Sequence, residues 1–193
     1  MDIVGRVQAI LVKPKDEWVT IKAEPATAAG LFTSYAMILA AVPPGFQFLR
    51  RILIERLPMI GHWPFGRALA SAVVAYVLSL LTVYLFALVV NELAPNFGST
   101  KSMTNALKLT VYSMTPVWLA GVFGLFAGLW PLGVLASLYG FYILYLGFNA
   151  PLMGTPKDKA PGYLAVSILV AIGIYVVVNW FLRVIFAVRY GRL

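Results

Sequence analysis

ALASAVVAYVLSLLTVYLFALVVN, residues Ala68–Asn91, holds no charged side chain. A hydrocarbon core of about 30 Å is crossed by about 20 helical residues at a rise of about 1.5 Å each, so the run reads as a membrane span. Four further stretches of similar character follow the same rule: Ala26–Phe48, Thr110–Leu129, Pro131–Asn149 and Leu164–Val188. Between Lys108 and Lys157 there is again no charge, a length that a water-soluble core does not sustain. The medium around this chain is therefore lipid.

Composition points the same way, with 61% hydrophobic and 11% charged residues and a mean hydropathy of +0.87. The fold class is all-α integral membrane: a bundle of five transmembrane helices preceded by short amphipathic surface helices. The chain divides into a surface segment, residues 1–25, and a membrane domain, residues 26–193, with too little sequence outside the spans for a second folded domain. The formal charge of +8 sits at span borders, at Arg50, Arg51, Arg67, Lys108, Lys157, Lys159, Arg189 and Arg192. That placement suits phosphate headgroups and topology control, and no nucleic acid partner is expected.

In the first segment Ile3, Val7, Ile10 and Leu11 recur at helical spacing, which predicts a helix lying on the membrane surface. Pro14 opens a second helix, with Asp16 and Glu17 in the first turn where the helix dipole favours anions. Trp18 is expected at the headgroup boundary with its N–H hydrated, and Glu24-Pro25 closes the element. The balanced charges of Met1–Pro25 do not match a cleavable signal, so the first span is expected to direct insertion.

Pro43-Pro44-Gly45 leaves three readings open for the first span: it stops at Val42, kinks, or turns back as a re-entrant segment. Arg50–Arg67 reads as an interfacial helix, with His62-Trp63-Pro64-Phe65 as a boundary anchor. Pro116 inside the third span frees the carbonyl of Tyr112 and predicts a kink, eased by Thr115 or a neighbouring helix. Gly124 and Gly128 form a G-x-x-x-G step, and Gly133, Ser137, Gly140 and Gly147 thin one stripe of the fourth span. Lipid supplies no hydrophobic drive between helices, so such stripes are expected to carry close packing. Tyr139, Tyr142 and Tyr145 need hydroxyl partners in a dry setting and are expected to tie helices together or line a polar cavity.

The run Leu138-Tyr139-Gly140-Phe141-Tyr142-Ile143-Leu144-Tyr145-Leu146-Gly147-Phe148-Asn149-Ala150-Pro151-Leu152-Met153, followed by Pro156-Lys157-Asp158-Lys159-Ala160 and Gly162-Tyr163, resembles the bacterial branch of the Yip family. The opening run Pro14-Lys15-Asp16-Glu17-Trp18 through Glu24-Pro25 is similar to that branch as well. The chain lacks the Asp-Leu-Tyr-Gly-Pro type of motif of eukaryotic relatives that act in vesicle traffic, which argues against a Rab-binding role. The resemblance implies five spans, a bacterial inner membrane and a cytoplasmic N-terminus, with the Lys157, Asp158, Lys159 loop on the same side. The positive-inside rule barely separates the sides: eight Lys or Arg fall with the N-terminus and seven opposite.

No catalytic constellation stands out among seven scattered acidic residues, one histidine and no cysteine, so neither enzyme, cofactor nor metal is expected. Glu92 and Arg183 are the ionisable groups nearest membrane depth, expected to snorkel, with Asn179 a candidate for interhelical hydrogen bonding. The expected function is a membrane-organising scaffold or adaptor acting through lipids, a second copy or a membrane-protein partner. The alternative is a small channel, transporter or lipid-handling protein that uses a polar cavity among spans three to five.

Overall fold

The computed structural model describes residues 2–54, 64–149 and 152–187, and their regular structure is entirely helical. Two short helices, α1 (Ile3–Val12) and α2 (Pro14–Ala23), precede five long ones. Asp2 caps α1 by accepting from the Val4 and Gly5 amides, both at 3.1 Å. Pro14 begins α2 where its missing N–H has no partner to lose.

The first four spans cover Ala28–Leu53, Phe65–Phe97, Met103–Leu125 and Trp130–Asn149. The fifth helix runs Ala160–Ala187. Each is long and apolar enough to cross a bilayer, so the chain is a multi-pass membrane protein.

The first span settles its three readings as a kinked crossing. Thr27 caps it through the Gly30 amide at 3.0 Å, Phe32–Ala36 widens into a π turn, and the helix restarts at Val42. Pro43 and Pro44 fall in the first turn of that restart, where their absent N–H groups cost least. Its first turns meet the beginning of the third span and its last turns the end of that span, so it runs the length of the bundle. Arg50–Leu53 is thus the tail of the first span rather than the start of an interfacial helix. His62 and Trp63 of the expected boundary anchor lie outside the described residues.

The third span is the hub. Its residues Ala106–Ser113 are buried on every face, the pattern of a helix surrounded by protein instead of lipid. It begins at Met103, two turns earlier than its apolar stretch, which brings Lys108 inside the span. At Pro116 the helix breaks as expected, between Met103–Ser113 and Thr115–Leu119. The Thr115 hydroxyl donates to the Tyr112 carbonyl at 2.7 Å, so the bond that proline removes is replaced locally. With that proton committed, the 2.8 Å contact between Tyr35 and Thr115 is donated by the tyrosine. The first and third spans are joined there by a chain of hydroxyls.

Close approach falls on other glycines than the expected step. A Cβ on Gly121 would stand 2.6 Å from the Cα of Pro43, whereas Gly124, Gly128 and Gly133 have no atom within 4 Å of that position. Ala120–Leu125, wound as a 3-10 helix, packs against the Val42–Leu53 helix of the first span, and Pro43 at the start of that helix crosses at Gly121. The crossing point, and not the G-x-x-x-G spacing, decides which glycine is touched.

Gly121→Ala is therefore expected to lower the unfolding free energy by about 1–3 kcal/mol, because its neighbour is rigid proline backbone. Gly124→Ala should stay within about 0.5 kcal/mol. Unfolding titration in mixed micelles reads both, and equal effects would contradict the packing described.

Candidate functional site

Four charged side chains meet where α1 and α2 dock on the third and fourth spans. Arg6 is 7% exposed and Lys108 4%. The Arg6 guanidinium pairs with Glu17 and with both carboxylate oxygens of Glu24, and its Cζ lies 5.6 Å from the centre of the Tyr112 ring. Lys108 Nζ donates to the Ile21 carbonyl at 2.7 Å and the Glu24 carbonyl at 2.6 Å. These acceptors belong to the end of α2, where helical carbonyls lack intrahelical donors and a cation complements the dipole. Two positive and two negative groups balance, which is what makes their burial tolerable.

Burial alone would lower the Arg6 pKa, but the bond to Glu24 and the nearby Glu17 charge outweigh it and hold the group above its ordinary value. A folded-state pKa raised above the unfolded one contributes stability fully present below the unfolded value and lost only as the pH rises through the folded one. The guanidinium thus anchors α1 throughout any physiological pH.

Apolar contacts complete the dock. Ile10, Trp18 and Ile21 are fully buried, and the Trp18 N–H donates to the Ile143 carbonyl at 3.1 Å. The side chain expected in a hydrated headgroup layer is instead enclosed by protein. Gly147 makes that possible, since a Cβ there would approach the Trp18 ring to 3.0 Å. Tyr139 donates to the Leu11 carbonyl at 2.5 Å, near the end of α1. Both N-terminal helices are amphipathic, and their apolar faces cover spans three and four.

Beneath Glu24 and Lys108 lies a cleft of about 380 Å³ that also includes Thr27, Ser34 and Tyr112. The neighbouring loops of the same membrane end are knitted to each other. Ser99 and Thr155 hydroxyls lie 2.6 Å apart, Asn105 donates to the Leu152 carbonyl at 3.0 Å, and Phe97 stacks on Tyr163 at 4.7 Å. Gly98 ends the second span with φ +69°, the left-handed conformation glycine adopts at little cost. Tyr163 is fully buried and donates to the Val90 carbonyl.

The candidate residues separate into groups. Trp18, Glu24, Tyr139 and Gly147 gather at the dock, while Lys157, Asp158 and Lys159 are exposed in the loop at the same end. Tyr142 is exposed and Tyr145 half-buried, so the three tyrosines do not share a cavity. Gly140 faces the third span, its missing Cβ 3.0 Å from the Ser113 carbonyl. Ser137 donates to the Gly133 carbonyl at 2.9 Å. Glu92 pairs with Lys101 at 2.6 Å, an exposed bridge at the span's end. The side chains of Asn179 and Arg183 lie outside the described residues. Among the described residues no three His, Cys, Asp or Glu side chains gather to hold a metal ion.

Sequence reading missed Arg6, Glu17, Lys108 and Tyr112. Lys108, flanked by Leu107 and Leu109 in a long apolar stretch, carried the available signal.

A five-span helical bundle with an N-terminal helix pair locked against its central spans defines a compact membrane domain with a single fold unit. The Yip1 domain family model matches residues 9–179, and the chain belongs to that family. Inner membrane protein YohC of Escherichia coli K12 is 26% identical over 186 residues, covering 90% of each chain. The protein of that name in E. coli O6:H1 strain CFT073 matches to the same extent. No solved structure matches the chain.

Arg6→Ala is expected to cost about 2–3 kcal/mol, below the ~3–5 kcal/mol for breaking a fully buried pair because Glu24 is partly hydrated. Proteolysis within the first 25 residues should accelerate in step while the spans stay intact. Unchanged protease protection would show that the ion cluster does not hold the helices down.

Proposed function

We propose that this Yip-family protein is a non-enzymatic scaffold or adaptor of the bacterial inner membrane, with its N-terminus in the cytoplasm. The observation that carries this reading is the docked helix pair. Lys108, Arg6 and Trp18 hold it rigidly, and its other face remains outward, with Lys13, Lys15, Asp16 and Lys22 exposed. The loop bearing Lys157, Asp158 and Lys159 lies at the same membrane end and is exposed too. A pre-organised polar surface loses little entropy on binding, as an adaptor requires. The name of the relative, inner membrane protein YohC, supports the location, and the eight-to-seven bias of basic residues supports the orientation. The partner of this reading is a membrane protein or a second copy, seated against that surface.

A second reading, handling of a membrane-dissolved molecule, is favoured by a cavity between spans two and five. Its walls are apolar, and neither Pro116 nor Tyr139, Tyr142 and Tyr145 lines it. That composition speaks for a lipid-like guest over a channel or a polar solute.

Extraction into native nanodiscs should bring down a stoichiometric partner or a homo-oligomer, and Lys157→Glu with Lys159→Glu should reduce that capture at least about tenfold while leaving thermal stability unchanged. Lone monomers in the wild type would end the adaptor reading.

A further inference from the structure

The fifth span leans on the second and fourth and barely reaches the third. The space left between it and the hub is a cavity of about 490 Å³ midway along the spans, within the range of sites that take small ligands. It is lined by Ser113 and Met114 of the third span, Phe86 of the second, Leu144 of the fourth and Ala171 and Ile172 of the fifth. Gly140 closes one corner by letting the fourth span approach the Ser113 carbonyl. Ile172 and Tyr175 are 52% and 64% exposed, so the mouth opens sideways toward the bilayer and not toward either aqueous face.

The hydroxyls around this cavity are not equivalent. Thr82 donates to the Leu78 carbonyl at 2.7 Å, Thr110 to Ala106 at 3.0 Å and Ser137 to Gly133 at 2.9 Å, each within its own helix. Ser113 differs: it is 5% exposed, and its Oγ, covered in this rotamer, has no hydrogen-bond partner among the described residues and so no bond to lose on turning toward the cavity. A buried donor without an acceptor is costly, and an apolar pocket offers it no water.

We propose that this cavity binds an uncharged, mainly hydrocarbon molecule dissolved in the membrane, bearing one hydrogen-bond acceptor such as a carbonyl that the Ser113 hydroxyl meets on rotation about its Cα–Cβ bond. The apolar walls exclude charged guests, the lateral mouth admits molecules already in the bilayer, and the lone hydroxyl sets the acceptor's depth. This site is separate from the polar surface proposed to bind a partner, and its test reads neither capture nor oligomeric state.

The experiment uses the full chain in nanodiscs with two photoactivatable probes, a long-chain ketone with a diazirine beside the carbonyl and its counterpart lacking the oxygen. In the wild type, both should label the peptides carrying Met114 and Phe141, the ketone about fivefold more, as one net hydrogen bond allows. Ser113→Ala should equalise the two yields. Ala171→Trp, or Ile168→Trp should the first variant fail to fold by circular dichroism, should abolish labelling at those peptides. Equal yields from the two probes in the wild type overturn the proposal. So does labelling that persists in the filled variants or falls only on bilayer-facing residues such as Leu169 and Val176.

Discussion

The Lys108 ammonium, held on the last carbonyls of α2, is the contact on which the arrangement of this protein depends. A charge inside a span persists only with partners, and unpaired carbonyls at a helix end near lipid need donors. Each problem is the other's solution. Once Lys108 is fixed, α2 has one place to end, and Arg6 on α1 is brought over the Tyr112 ring with Glu17 and Glu24 around it. The surface helices and the membrane bundle thereby become one unit.

The third span can serve as hub because several of its polar groups are satisfied, and from several directions. Thr110 bonds within the helix, Thr115 repairs the proline break, Tyr35 reaches in from the first span and Trp18 stacks edge-on against Tyr112 at 6.4 Å between centres. Hydrocarbon gives helices no hydrophobic reason to associate, so cohesion comes from such bonds and from close packing. Gly121 against Pro43, Gly140 against Ser113 and Gly147 against Trp18 supply the latter. The fifth span lacks an equivalent contact with the hub, and the cavity is what remains.

Much of this was legible beforehand, and the misses share a cause. The spans, the proline break with its Thr115 repair and the Yip-family resemblance all rest on local sequence, and local sequence carried them. Trp18 went to the headgroups and Lys108 to the phosphates because border positions favour those partners when nothing else is near. The glycine step at Gly124 and Gly128 satisfied the pattern for packing, yet the first span crosses at Gly121, where Pro43 meets it. A tyrosine every third residue in the fourth span promised one lining; the Tyr139 and Tyr142 rings stay 5.8 Å apart, but a period of 3.6 carries the series from the α1 dock to an exposed face.

The sequence by itself determined that this protein lives in a membrane, which five stretches are apolar enough to cross it and where the third span breaks at proline. Those properties follow from chain length, hydropathy and the geometry of proline, glycine and capping side chains, all of them short-range. Only the tertiary structure decided which charges are paired, which glycines are touched and which hydroxyl is left over. These depend on residues such as Arg6 and Glu24 or Trp18 and Ile143 meeting across long separations, and no local pattern encodes the partner of a buried polar group.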